Sequence, residues 1–192
     1  MAATNLAWID LETTGLDAHL DPILEIGLII TRARPPFETV ATYEAVIAPD
    51  EDEWYTRMNS FVREMHTGNN LLNDIESHGR ALSDVEEEVV SLFKEYGRPH
   101  NYMLAGSGVS HFDHRFINAQ MPILAKWLQY PSLDVGVIRR ALGFSGRSDL
   151  DAFGQTFATV NDKPHRGLDD VADHLNEFRA YSKMFEGIPQ DV

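Results

Sequence analysis

The segment WIDLETTGLD (8–17) places two acids, Asp10 and Glu12, two residues apart in a run of strand-forming side chains. Successive side chains of a strand point to opposite faces, so Asp10 and Glu12 share one face while Ile9 and Leu11 take the other. Two carboxylates held side by side repel each other unless a cation lies between them. Mg²⁺ is held in this way, by one or two carboxylates together with substrate phosphate oxygens. A solvated edge strand with two incidental acids is the alternative, because acid-x-acid pairs are common on surfaces.

Two further acidic segments fit the metal reading. Asp113, in SHFDHRF (110–116), follows the apolar run NYMLAG (101–106) where a helix would begin; an acid there is also an ordinary helix-start residue. PHRGLDD (164–170) sets His165 five residues before Asp170. With His165 on a loop and Asp170 in the first helical turn, both can project to one place; the plainer reading is surface decoration of an acidic helix start.

As an ordered set, WIDLETTGLD, HFDHRF and H-x4-D resemble the DEDDh exonucleases of the proofreading-exonuclease superfamily, and within it the oligoribonucleases, over about residues 5–185. The resemblance implies that Asp10, Glu12, Asp113 and Asp170 hold two Mg²⁺ or Mn²⁺ ions at the 3′ end of a strand. It makes His165 the general base for the attacking water, a task that suits imidazole chemistry near neutral pH. Asp169 matches no ligand position and reads as a helix-start acid. The resemblance also implies a nucleotide clamp: Leu16 as a wedge between bases, Phe61 (in place of a tryptophan) and His66 against the terminal nucleotide, and Tyr130 supplied across a homodimer. Core packing is the other reading of Phe61. Two positions depart from the pattern. Pro131 and Gly136 stand where the oligoribonucleases carry an arginine and a serine that cap the 5′ phosphate of a dinucleotide. Proline offers no charged fork to a phosphate, so the expected enzyme accepts short RNA without a strong preference for dinucleotides.

The elements that must position these residues follow from periodicity. Strand-like runs cover 5–10, 23–33 and 39–48, with links short enough for an antiparallel meander. Helical spacing predicts helices over 58–66 and 71–77, then one opening on Ser83 and Glu86 as a capping box, with Val85, Val89, Leu92 and Tyr96 on one face. A buried strand over 101–106 precedes a helix over 112–128 interrupted near Pro122. A short strand over 131–135, a helix over 137–142 and a last helix over about 168–185 complete the chain. Three antiparallel strands followed by alternating helices and strands predict an α/β, RNase H-like mixed sheet with helices on both faces. No linker or repeat divides it, so residues 1–192 read as one exonuclease domain with a short C-terminal tail, 186–192.

Composition narrows the chemistry. The 192 residues include no cysteine, which excludes disulfides, thiolate nucleophiles and thiolate-ligated metals and leaves carboxylates and eight histidines as strong ligands. The net charge is −14, so long duplexes are repelled and a nucleic-acid substrate must be engaged locally. No run reaches the roughly 18 apolar residues of a membrane span, and MAATNLAWID lacks the basic start of a secretory signal, so the expected setting is cytoplasmic with no membrane partner. GSG at 106–108 is not a dinucleotide-binding fingerprint, no GxxxxGK loop occurs, and no calcium-binding loop of the EF-hand kind occurs. A 3′–5′ exonuclease on short RNA or single-stranded ends is the leading expectation. A DNA proofreading or repair exonuclease, or a non-catalytic binding module on the same fold, are the alternatives.

Overall fold

A computed structural model describes residues 3–50, 53–158 and 165–185; the tail 186–192 lies outside the described residues. Three strands, β1 (Asn5–Thr13), β2 (Ile23–Arg32) and β3 (Thr39–Val46), form the expected antiparallel meander. β4 (Tyr102–Gly106) and β5 (Leu128–Asp134) add in parallel on the other side of β1, giving the order β3-β2-β1-β4-β5. β1 and β2 are buried along almost their whole length, as strands covered on both faces must be.

The period-2 alternation of β1 sorts its side chains between two cores. Ala7, Ile9 and Leu11 join Ile26, Leu28 and Ile30 under α3 (Leu82–Tyr96), α4 (Asp113–Gln120) and α5 (Pro122–Ala125). Leu6 and Trp8 face the other way, with Val135 of α6 (Val135–Gly143), partly buried Phe153 and Phe157 of α7 (Ser148–Ala158), and Val171, Leu175 and Tyr181 of α8 (Gly167–Phe185). A smaller cluster packs Leu24 against Leu71 and Ile75 of α2 (Leu71–His78), next to α1 (Ser60–Gly68). The mixed sheet with helices on both faces is therefore as expected. No helix among the described residues is long and apolar enough to cross a membrane.

Three local readings are corrected. Ser83 and Glu86 form no capping box: α3 starts at Leu82, Ser83 is exposed, and Glu86 is buried, with Oε1 accepting the Ile123 and Leu124 N–H groups at 2.7 and 3.0 Å. Glu86 thus satisfies the open N-terminal donors of α5, a tertiary demand that overrides the local one. The helix expected to run to 128 ends at Ala125, because Leu128 is taken into the parallel ladder opposite Tyr102. β5 consequently includes Tyr130 and Pro131, and proline is tolerated there because β5 is an edge strand. Helix α7 was not signalled by its sequence, whose apolar positions are few and interrupted by Gly154.

Glu86→Ala should lower stability by about 1–3 kcal/mol, the cost of leaving buried N–H donors unpaired. Ser83→Ala should stay within about 0.5 kcal/mol, as for an ordinary surface change. Urea denaturation of the two variants checks the assignment; equal losses would restore the capping box.

Candidate active site

β1 outruns its neighbour. It pairs with β4 only over Asn5–Trp8, so the following residues leave an open strand edge beyond the carboxyl end of β4. Crevices outside the carboxyl ends of strands are the usual ligand sites of open α/β sheets. Asp10 and Glu12 lie on the α8 face just past Trp8, as their spacing predicts. Asp113, the first residue of α4, turns back to this edge, and its Oδ1 accepts the Leu11 N–H at 2.9 Å. The same N–H has no strand partner on that side, so one hydrogen bond both completes β1 and fixes the acid.

The fourth acid arrives on α8. Gly27 of β2 and Gly167 of α8 touch backbone to backbone: a Cβ on Gly27 would lie 2.1 Å from the Gly167 carbonyl carbon. Only two glycines let the start of α8 sit directly on the sheet opposite Asp10, whose register partner is Gly27. Fully buried Glu25 anchors this contact. Its Oε2 accepts the Gly167 N–H at 2.9 Å, and its Oε1 accepts from Arg166 Nε and Nη2 at 2.9 and 2.6 Å. Arg166 also donates to Asp74 Oδ2 of α2 at 2.8 Å, and the Asn69 amide donates to the His165 carbonyl. The HRGLDD segment is therefore held from β2, α1 and α2 together. None of Glu25, Gly27, Asn69 or Arg166 stood out in the sequence. The clearest signal available was a lone Glu within the apolar run ILEIGLII, which a doubly covered strand does not bury without a partner.

This arrangement brings Glu12, His165 and Asp170 together, with ligand-type atoms within 4.8 Å of one another. His165 Nδ1 lies 3.6 Å from Asp170 Oδ2, and its ring is 52% exposed while Asp170 is 23% exposed. Asp113 is 2% exposed and Glu12 8%. Burial, then Asp113, Glu12 and Asp170, raises Asp10 well above the ordinary carboxylate range. Burial, then Asp170, Glu25 and Asp113, pushes Glu12 up to about 8, with Arg166 pulling the other way. Burial pushes Asp113 up to about 7 against the Leu11 hydrogen bond, and burial also raises Asp170, opposed by His165. Carboxylates gathered this closely favour a cation between them. An all-oxygen donor set with one adjacent imidazole suits a hard or borderline divalent ion.

The four residues of the nucleotide clamp sit in different settings. Leu16 and Phe61 are exposed, at 77% and 72%, which excludes core packing for Phe61. Tyr130 is 94% exposed on edge strand β5. His66 has no exposed surface; its Nε2 lies 3.0 Å from the Thr13 carbonyl and 4.0 Å from Glu12 Oε2. In this arrangement His66 backs Glu12 and offers no ring face to a base. At the departure position Gly136, a Cβ would lie 2.9 Å from Ser107 Oγ, so the hydroxyl of Ser107 fills the space of a side chain there.

Stability should follow from these shifts. Glu12 and Asp113 bind protons more tightly folded than unfolded, so the metal-free protein loses stability as pH rises from about 4.5 to about 8. The expected result is a higher Tm in chelator at pH 5 than at pH 8, with Mn²⁺ or Mg²⁺ restoring most at pH 8. A Tm in chelator that climbs steadily across that range would contradict the carboxylate cluster.

Known proteins can be set beside this geometry. The RNase_T exonuclease family model matches residues 7–178. The oligoribonuclease of Pseudomonas savastanoi pv. phaseolicola is 27% identical over 181 residues, covering 94% of this chain and 96% of its own. The mitochondrial oligoribonuclease of Mus musculus is 28% identical over 179 residues, covering 93% and 72%. Among solved structures, E. coli exonuclease I in complex with a 5cy-dT13 oligonucleotide superposes with TM-score 0.65 at 17% identity over 94% of this chain. The match spans 41% of that longer chain, and it supports the fold alone. The zinc-bound form of the same enzyme with single-stranded DNA gives TM-score 0.67 at 16% identity over 96% of this chain and 42% of its own. With the family model spanning nearly the whole described sheet and its acids gathered at one strand edge, the chain belongs to the RNase_T exonuclease family and is a 3′–5′ exonuclease.

Proposed function

We propose that the protein degrades short RNA from its 3′ end, releasing nucleoside 5′-monophosphates, with two Mg²⁺ or Mn²⁺ ions held by Asp10, Glu12, Asp113 and Asp170. The observation that carries this reading is the meeting of acids from β1, α4 and α8 around one half-exposed histidine. The whole of 1–192 is read as one exonuclease domain.

Such ions, when bound, lower the pKa of water and neutralise charge on the phosphoryl group and on the leaving 3′-oxygen. The protein's own part is positional. Nδ1 of His165 faces Asp170, which leaves Nε2 to take the proton of the attacking water. Water bonds to phosphorus, the bond to the 3′-oxygen breaks, and that oxygen takes a proton from solvent and leaves as the hydroxyl of a strand one nucleotide shorter. Asp170 steadies the imidazole as it gains charge, and the Glu25–Arg166 clamp with Asn69 keeps the ring at the crevice. Exposed Leu16 and Phe61 give the terminal base apolar surface; stacking on an aromatic ring is worth about 1–3 kcal/mol and tolerates any base. A homodimer fits exposed Tyr130 on an open strand edge, with Val137 of the following helix and Phe144 just after its end also exposed.

Asp10→Ala should abolish hydrolysis while the protein stays folded, because the substitution relieves repulsion. His165→Ala should lower turnover by roughly 10²-fold or more and leave Mn²⁺ affinity nearly unchanged. Isothermal titration with Mn²⁺ and single-turnover rates check both; collapse of metal affinity in His165→Ala would make His165 a ligand.

Substrate length tests the departures. Pro131 and Gly136 lack the charge-assisted bonds of a phosphate cap, worth about 1.5–3 kcal/mol each. The expected kcat/KM on 5′-labelled RNA changes gradually from two to ten nucleotides. A drop of about a hundredfold between two and three, ~2.7 kcal/mol, would reveal a cap built from other residues.

A further inference from the structure

A cleft of about 350 Å³ opens from the carboxylates on the side of Asp10, between α6, α7 and α8. Asp10, His165 and Asp170 form its mouth, and its walls continue to Ser107, His174 and Asn176, which the chemistry above does not use. His174 lies one turn after Asp170 on the same stripe of α8. Its ring lies beside the end of β4, where a Cβ on Gly106 would be in ordinary contact with Nδ1, at 3.8 Å. That Nδ1 is buried with no hydrogen-bond partner. Burial lowers the His174 pKa, against the pull of Glu177 nearby, so the ring is held neutral and can both donate and accept.

The lining selects the ligand's chemistry. An anion would meet Asp10, Asp170 and Asp173, while the Arg139 guanidinium is already committed to Glu177 through bonds of 2.9 and 2.5 Å. A flat base would find Phe157 as its one aromatic wall among the described residues. A neutral group carrying hydroxyls meets a hydroxyl, an imidazole and an amide, each able to donate and accept. In the reading above, the released nucleotide lies at the other end, beyond Glu12 and Thr13, where exposed Phe61 stands on α1. The sugar that remains for this cleft is the one whose 3′-oxygen leaves.

We propose that this cleft is a ribose subsite for the nucleotide on the 5′ side of the scissile phosphate, with His174 and Ser107 reading its 2′-hydroxyl. The inference rests on the RNA exonuclease reading above and makes that site selective for RNA at one defined sugar. A site that hydrogen-bonds a hydroxyl rejects the analogue lacking it, because its own polar groups are left unpaired.

The test uses the full-length protein with Mn²⁺ and trinucleotides differing at one sugar: all-ribo, 2′-deoxy at the penultimate position, or 2′-deoxy at the 3′-terminal position. In the wild-type protein the penultimate substitution should lower kcat/KM about tenfold, one hydrogen bond's worth, and the terminal one less than threefold. In His174→Ala the penultimate ratio should fall to near one, and Ser107→Ala should reduce it. No effect of the penultimate deoxy sugar on the wild-type protein overturns the subsite, a comparison that needs no variant to fold. Full discrimination retained in both variants overturns it as well. Failure to release mononucleotide even from the all-ribo strand overturns the RNA reading itself, and the two failures are thereby told apart.

Discussion

Like-charge repulsion among Asp10, Glu12, Asp113 and Asp170 is the constraint around which the rest of the molecule is arranged. Burial takes these acids out of water; Asp113, Glu12 and Asp170 then raise the proton affinity of Asp10, and Asp170 and Asp113 raise that of Glu12. Left to itself the chain would swing one of them away. It cannot, because each is fixed by something other than the site. Asp10 and Glu12 are bound into the best-covered strand, Asp113 is tied to the Leu11 N–H, and Asp170 is carried on a helix seated on a glycine. The resulting tension is stored binding capacity for cations: a divalent ion gains what the folded carboxylates lack.

Holding α8 in place takes a second buried charge. Glu25 lies directly across the strand pair from Glu12, which alone would deepen the repulsion. Its two bonds from Arg166 and one from the Gly167 N–H convert it into an anchor. Arg166 then serves both sides, pairing Glu25 and Asp74 while easing the charge on Glu12. The same hub joins the segment carrying His165 to α1 and α2, so the elements bearing Phe61 and His165 are tied together.

The strongly acidic surface is consistent with this economy of contact. With a net charge of −14 the molecule as a whole repels the phosphates of a long strand. Exposed Leu16, Phe61 and Tyr130 offer apolar surface that carries none of this charge.

The sequence by itself determined the strands, most helices and several of the residues that meet at the strand edge. Strand alternation put Asp10 and Glu12 on one face of β1, helical spacing placed Val171 and Leu175 on the sheet, and the H-x4-D motif brought His165 and Asp170 to Glu12. These are local signals, carried by residues a few positions apart. Tertiary structure alone decided what depends on distant neighbours. Glu86 reads locally as half of a capping box, yet α5 needs its oxygen more. Glu25 and Arg166 are 141 residues apart, so no window of sequence shows them as a pair. Gly27 and Gly167 look like two unrelated glycines until the helix meets the strand. His66, which the resemblance sets against the terminal nucleotide, has no exposed surface, because α1 folds it under Glu12. Chemistry that lies along the chain is written in residue spacing; the contacts that hold it in place are made across the chain, and only packing selects them.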